Sequence, residues 1–257
     1  MGEKIKVVGL NSGYFLGYNG KKEKYLKNPL RSLIGNRSAE RERLDRFIEL
    51  VEQESPDIVG LVEIDMGSIR TGTEDGQISF IRSRLEENGN GYRAGSGFKY
   101  RDLSILKKVP VVSSMANGVL TDRGEIQFHH LERGWKRLMI EVEREDLSVF
   151  IVHLPYYLFD RTKEKQIEQI SEIISERDRY VIFGDFNIDG MDELDLLRER
   201  NGAEVFSPGD TYPAYDPRNP YDLFITGPGV EMERHEVLDV EISDHLGIKA
   251  EIELGEK

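Results

Sequence analysis

Apolar runs of strand length, each ended by polar residues, recur along the chain: Ile5–Leu10, Ile58–Val62, Leu147–Leu154, Tyr180–Phe183, Tyr221–Ile225 and Ile248–Leu254. Short unbroken runs such as Val181-Ile182-Phe183 read as strands covered on both faces. Leu138, Ile140 and Val142 alternate with polar neighbours, the period of a half-buried strand. Between these runs the period changes to that of a helix. Leu44, Phe47, Ile48 and Val51 form one stripe, with Ser38 as the expected N-cap and Pro56 closing the segment. Ile78, Ile81 and Leu85 form a second stripe ended by Asn88-Gly89, and Ile167, Ile170 and Ile174 a third. Leu194 and Leu197 predict a short fourth helix closed near Asn201-Gly202.

Strands outnumber helices and do not alternate with them strictly, so an α/β architecture of two packed mixed sheets with helices outside is expected. No linker-like stretch divides the chain, which reads as one domain over residues 1–257. The polar, Gly-rich segment Ser12–Gly35 is long for a loop, and loops of that length are functional or mobile.

Composition narrows the options. With no Cys, disulfides and thiolate metal sites are excluded. No apolar run approaches the roughly 20 residues that cross a bilayer. Val7–Leu10 is too short for a signal peptide, and Lys6 stands where a myristoylation motif needs Ser or Thr. A cytoplasmic protein with no stable membrane association is therefore expected. The formal charge is −13, yet Gly20–Arg46 holds nine basic residues against four acidic ones. A negative global field opposes long-range capture of polyanions, while a local basic segment can grip one phosphate-bearing ligand.

The polar residues at the run ends carry the chemistry. Asn11 follows the first run, where it would ordinarily be turn chemistry. Glu63 ends the second; a carboxylate there is costly unless solvated, paired or bound to a cation. His153 ends the run from Leu147. Asp185 and Asn187 follow Val181-Ile182-Phe183-Gly184, two apart, and on an extended segment they would project to one side, suited to a hard cation or an attacking water. Asp222 lies within Tyr221–Ile225, and Ser243-Asp244-His245 precedes the closing strand. Adjacent residues of an extended segment point apart, so Asp222 is the better partner for His245, leaving Asp244 for metal or water.

The ordered set Asn11, Glu63, His153, Gly184-Asp185-Phe186-Asn187, Asp222 and Ser243-Asp244-His245 resembles the endonuclease/exonuclease/phosphatase superfamily over nearly the whole chain. That resemblance implies a DNase I-like four-layer α/β/β/α sandwich with its site at one end of the paired sheets. It implies Mg²⁺, or Mn²⁺, held chiefly by Glu63 with support from Asn11 and Asp244. Asp185 would orient or deprotonate the attacking water, and Asn187 would hold that water or the phosphate. His153 and His245 would donate to non-bridging oxygens, with Asp222 behind His245. The stretch Ala116–Leu120 resembles a further family segment, in which Asn117 would reach substrate. Leu10 replaces the family's usual Trp. The signatures of the abasic-site and inositol phosphatase branches are missing around His153-Leu154-Pro155 and Asn219–Asp222, which disfavours both.

A metal-dependent phosphoric ester hydrolase is the resulting expectation: first a phosphodiesterase or nuclease, second a phosphatase or phosphodiesterase of a small or lipid-borne phosphoester. An inactive binding module, or a scaffold presenting Ser12–Gly35, ranks below both because the full residue set is present. Nucleic acid as partner draws on the basic Gly20–Arg46 segment, on Lys99, Arg101, Lys107 and Lys108, and on Tyr14, Phe15, Tyr156, Tyr157, Tyr212 and Tyr215 as stacking surfaces. Against long duplex stands the overall negative charge.

Overall fold

The computed structural model describes residues 3–17, 36–69, 71, 75–100, 112–132, 136–156 and 162–255. In chain order the elements are β1 (Lys4–Asn11), α1 (Arg37–Glu54), β2 (Ile58–Asp65), α2 (Gln77–Glu87), β3 (Arg93–Phe98), β4 (Met115–Thr121), β5 (Glu125–His130), β6 (Leu138–Arg144), β7 (Leu147–His153), α3 (Thr162–Ile174), β8 (Tyr180–Asp185), α4 (Asp195–Asn201), β9 (Glu204–Phe206), β10 (Asp222–Thr226), β11 (Val230–Leu238) and β12 (Gly247–Leu254). They build two six-stranded sheets, ordered β11-β12-β1-β2-β4-β3 and β5-β6-β7-β8-β10-β9. Each sheet has one parallel pair, β1 with β2 and β7 with β8; the other pairings are antiparallel.

The apolar runs are continuous because both faces of these strands are covered. Ile5, Val7, Ile58, Ile140, Val149, Ile151, Val181 and Phe183 meet between the sheets. Their alternates Val8, Leu10, Val59 and Leu61 pack under Leu44, Phe47 and Ile48 of α1 and Ile78 and Ile81 of α2. Phe150, Val152 and Ile182 pack under Ile167, Ile170 and Ile174 of α3 and Leu197 of α4. Period 2 in the strands thus sorts one set of side chains to the central core and the other to an outer core. The result is the four-layer α/β/β/α sandwich that the resemblance implies. At the closest approach of the sheets, the register partners Gly9 and Gly60 leave space for the Phe183 ring: a Cβ at Gly60 would lie 2.6 Å from it, and one at Gly9 2.8 Å.

Three local readings differ from the sequence expectation. α1 is capped by Asn36, whose side chain accepts from the Ala39 N–H at 3.3 Å, and Ser38 lies inside the first turn. The strand of Leu138, Ile140 and Val142 is not half solvated. Met139 and Glu141 are buried on its other face, where Arg177 (2.8 Å) and His129 (2.6 Å) pair with Glu141. A charged residue therefore marks a paired carboxylate there, not solvent. β3, β4, β5, β9 and β11 complete the sheets beyond the six apolar runs and the Leu138 strand. Of Ser12–Gly35, residues 18–35 lie outside the described residues, as do Arg101, Lys107, Lys108 and Tyr157. Among the described residues no helix is long and apolar enough to cross a membrane.

Candidate active site

Strand register assembles the site. His153 at the end of β7 pairs with Asp185 at the end of β8, and Asp185 pairs across with Asp222 at the start of β10, so three polar side chains share one edge of one sheet. The other sheet brings Asn11 at the end of β1 and Glu63 in β2. Glu63 sits at an irregularity in the β2–β4 ladder with φ of 57°, a left-handed conformation unfavourable for a non-glycine residue. That conformation is secured from three sides. The Glu63 N–H donates to Asn117 Oδ1 at 3.3 Å, and the Ser12 hydroxyl donates to the Glu63 carbonyl at 2.7 Å. Lys99 Nζ lies 3.2 Å from Glu63 Oε1.

Asp185 is the hub. Asn11 Nδ2 donates to its Oδ2 at 2.9 Å, bridging the two sheets. His153 Nε2 lies 3.3 Å from the same oxygen and His245 Nε2 4.0 Å away. The Asn187 N–H donates to Oδ1 at 3.0 Å. Burial disfavours the charge on Asp185, but His245 and His153 outweigh it and hold the carboxyl well below the usual range. Gly184 is needed immediately before: its φ is 135°, and a Cβ would stand 2.2 Å from the Val152 carbonyl oxygen.

His245 Nδ1–H donates to Asp222 Oδ2 at 2.8 Å, and Thr211 Oγ1 donates to the same oxygen at 2.6 Å. Burial opposes a charged imidazole, yet Asp222 and Asp185 raise His245 to about 10. The Tyr212 ring lies against it, with centroids 4.8 Å apart. His153 goes the other way: burial and then the Lys136 ammonium lower it to about 4. One histidine is thus held charged and the other neutral against the same carboxylate. For Glu63, burial is overcome by Lys99, Lys136 and His153, which hold it at about 2.

Several placements differ from the sequence reading. Asn187 does not share a side with Asp185 through strand alternation, because β8 ends at Asp185 and Asn187 has φ of 49°; its Nδ2 donates to the Leu154 carbonyl at 2.9 Å. Asn117 is buried, with its Oδ1 accepting from the Glu63 N–H and its Nδ2 donating to the Leu138 carbonyl at 3.5 Å, so it supports the Glu63 backbone. Asn11 Oδ1 accepts from the Gly13 N–H and its Nδ2 donates to Asp185, so the residue bridges the two sheets. Asp244 is half-buried beside the Gly13 turn, where a Cβ would come 3.0 Å from its Oδ1. Phe15 and Tyr14 fill the core, while Tyr156 and Tyr215 are exposed. Lys136 and Thr211 escaped sequence reasoning: Lys136 lies in a polar stretch before β6 and Thr211 in an irregular loop, and neither ends an apolar run.

Two donor sets are available to a cation. Asp185, Asp222 and His245 offer atoms within 4.8 Å of one another. Asp222 Oδ2, however, already accepts two hydrogen bonds, and a protonated imidazole has no lone pair for a metal, so this cluster reads as a relay. The second set is looser and lies near an ammonium. Glu63 Oε1 and Asp185 Oδ2 are 4.0 and 3.3 Å from His153 Nε2, against which Lys136 Nζ sits. Burial lowers the Lys136 pKa, while Glu63, Asp185 and Asp244 oppose that shift. Carboxylate oxygens on this side of the site are the ligand type a hard divalent ion takes.

The family model for the Endonuclease/Exonuclease/phosphatase family matches residues 19–245. Among solved structures, an endonuclease/exonuclease/phosphatase from Beutenbergia cavernae is similar at TM-score 0.71 and 17% identity, over 98% of this chain and 72% of that one. Danio rerio TDP2 complexed with single-strand DNA product is similar at TM-score 0.63 and 14% identity, over 97% of this chain and 99% of that one. A mannosyl-6-phosphatase from Bacteroides thetaiotaomicron is similar at TM-score 0.63 and 13% identity, over 96% and 99%. No curated protein matches. The fold is DNase I-like, and with the family model covering most of its length the chain belongs to the Endonuclease/Exonuclease/phosphatase family.

Proposed function

We propose that the chain hydrolyses phosphate esters by in-line attack of water with Mg²⁺ or Mn²⁺ bound, acting first on phosphodiesters, nucleic acid among them. The observation that carries this reading is the Asp185 hub, a buried ionised carboxylate faced by one neutral and one charged histidine. Held so far below its usual range, Asp185 is a poor base and a good acceptor, so its role is to orient water. His245, charged and fixed by Asp222 and Thr211, supplies a donor to a non-bridging oxygen as negative charge builds there. His153, neutral, has one Nε2–H, shared between Asp185 Oδ2 at 3.3 Å and a second non-bridging oxygen. Glu63, with help from Asn11 and Asp244, would hold the divalent cation, which when bound neutralises developing charge and acidifies water. Asn11 keeps Asp185 turned toward that place, and Asn117 and Ser12 hold the Glu63 backbone.

For the substrate, exposed Tyr156 and Tyr215 and the half-buried Tyr212 offer ring surfaces to a base or sugar near His245. The net charge of −13 favours short or single-stranded targets over long duplex. A phosphatase of a small or lipid-borne phosphoester is the second reading, supported by Lys99 and Lys136, two ammonium groups beside one small site. Hydrolysis of bis-p-nitrophenyl phosphate and p-nitrophenyl phosphate with Mg²⁺ or Mn²⁺ tests both. Turnover that needs the metal and disappears in Asp185→Ala and His245→Ala supports the proposal, and the preferred ester separates diesterase from monoesterase. Turnover that survives chelation, or both substitutions, refutes it.

A further inference from the structure

Two lysines enter the site, and they are held differently. Lys99 is fully buried, bonded to Tyr14 and Glu63, with its ammonium 4.9 Å from the centre of the Tyr14 ring. It is a fixed partner. Lys136 is half-buried, and its Nζ lies against His153 Nε2. Its main chain is pinned: the carbonyl accepts from Gln166 Nε2 at 2.8 Å, and the next N–H, of Arg137, donates to the Lys99 carbonyl at 3.0 Å. The flexible four-carbon stem then delivers the ammonium beside His153 Nε2, which lies 4.0 Å from Glu63 Oε1 and 3.3 Å from Asp185 Oδ2.

His153 has two incompatible duties in this arrangement. An ammonium has only donors, so contact with Lys136 requires Nε2 to accept. Asp185 Oδ2 at 3.3 Å requires the same nitrogen to donate. His153 Nδ1 is buried with no partner among the described residues. If Nε2 accepts from Lys136, the ring proton sits on Nδ1 as an orphaned donor. If Nε2–H donates to Asp185, Nδ1 is left only with an unused lone pair. Orphaned buried N–H groups are the rarer case, so the second state is the better satisfied one, and it requires the ammonium to move away.

We propose that Lys136 is a catalytic residue of this site with two positions. Without a divalent ion its ammonium neutralises the Glu63, Asp185 and Asp244 carboxylates. With the ion bound there, the ammonium is repelled, releases His153 to Asp185 and contacts a non-bridging oxygen of the substrate phosphate. The inference rests on the phosphoesterase reading above.

The test measures Mn²⁺ binding by the electron paramagnetic resonance signal of the free ion, without substrate, together with turnover of bis-p-nitrophenyl phosphate at saturating Mn²⁺. Removing a competing charge beside a divalent ion is expected to make Lys136→Met bind Mn²⁺ on the order of tenfold tighter. Loss of a donor made available in the transition state is expected to lower its kcat on the order of 100-fold. Lys136→Arg keeps the charge and should bind Mn²⁺ as the wild type does. Lys136→Gln carries the same test if the Met variant does not melt cooperatively. Tighter binding with slower turnover supports the proposal. A neutral variant that binds Mn²⁺ no tighter than wild type, or turns over within twofold of it, overturns it while leaving an active wild type in agreement with the phosphoesterase reading. A wild type that neither binds Mn²⁺ nor turns over refutes that reading, and this inference with it.

Discussion

The substitution Asp222→Asn isolates the charge of His245. Asn retains an oxygen that can accept from His245 Nδ1–H and from Thr211, so the shape of the relay persists while its negative charge is lost. At the observed 2.8 Å, and at an effective dielectric of about 20, two unit charges attract by about 6 kcal/mol. Raising His245 from its ordinary value to about 10 corresponds to about 5 kcal/mol, net of the burial that opposes it. Removal of Asp222 thus cancels the whole elevation despite Asp185 at 4.0 Å, and His245 should return to roughly 6.5. At pH 8 the charged fraction would drop from nearly all to about 3%, a rate loss of about 30-fold from protonation alone.

The assay is the pH profile of kcat/KM on bis-p-nitrophenyl phosphate at saturating metal for wild type and Asp222→Asn. The wild type should hold its rate to high pH, with an alkaline limb near 10. The variant should approach the wild type near pH 6 and fall away from it through pH 7 to 9. A constant ratio across that range would mean that Asp222 orients His245 without setting its charge. An unchanged rate would remove His245 from the chemistry.

Further perturbations test the frame around the site. Gly60→Ala places a methyl 2.6 Å from the Phe183 ring and 2.8 Å from Ile151, and overpacking of that kind should lower stability by about 1–3 kcal/mol, read by urea unfolding; an unchanged midpoint would show that the sheets yield. Arg177→Met leaves the buried Glu141 carboxylate without its guanidinium partner and should cost about 3 kcal/mol, largely recovered when Glu141→Gln is added; no recovery would mean that Arg177 acts through packing. Stability should also have a maximum near neutral pH. His153 at about 4 is depressed below its unfolded value, so the unfolded chain takes the proton first and stability falls as pH drops from about 6.5 to 4. His245, raised to about 10, contributes stability that is complete below about 6.5 and is lost as pH rises through 10. In thermal melts His153→Asn should flatten the acid limb and His245→Asn the alkaline one; limbs that persist belong to other groups.

Much of the sandwich was legible because its central strands are covered twice. A strand such as β8 announces itself as an unbroken apolar run, and the polar residue that ends it is conspicuous for the same reason. Asn11, His153 and Asp185 end such runs and Glu63 follows one closely; Asp222 opens one and His245 just precedes another. Outer strands lacked that signal: β3 is Arg-Ala-Gly-Ser-Gly-Phe and β5 Glu-Ile-Gln-Phe-His-His, partly exposed and poor in aliphatic residues. Within the site, the side chains that approach from irregular segments were not legible. Lys136 and Thr211 owe their positions to tertiary contacts, Lys136 to His153 and Thr211 to Asp222, and local sequence contains no trace of either. Asn187 misled because strand alternation was extended past the last residue of β8.

The split of the site between the two sheets has a mechanical consequence. Asn11 and Glu63 belong to one sheet, and His153, Asp185 and Asp222 to the other, so the distance between the candidate cation ligand and His153 is set by inter-sheet packing, while His245, just before β12 of the first sheet, reaches across to Asp222. Two features fix that distance. Gly9 and Gly60 let Phe183 close the central core, two residues from Asp185 along β8. At the mouth, the 2.9 Å bond from Asn11 to Asp185 ties the sheets directly. Within the first sheet, Ser243 donates to the Asn11 carbonyl while accepting from the His245 N–H, so one hydroxyl sets the end of β1 and the position of His245 together. Displacing reacting groups by even an ångström is costly in such sites. If the proposed chemistry holds, the small residues Gly9, Gly60 and Ser243 bear on it through geometry alone, by fixing where the carboxylates, histidines and lysine stand.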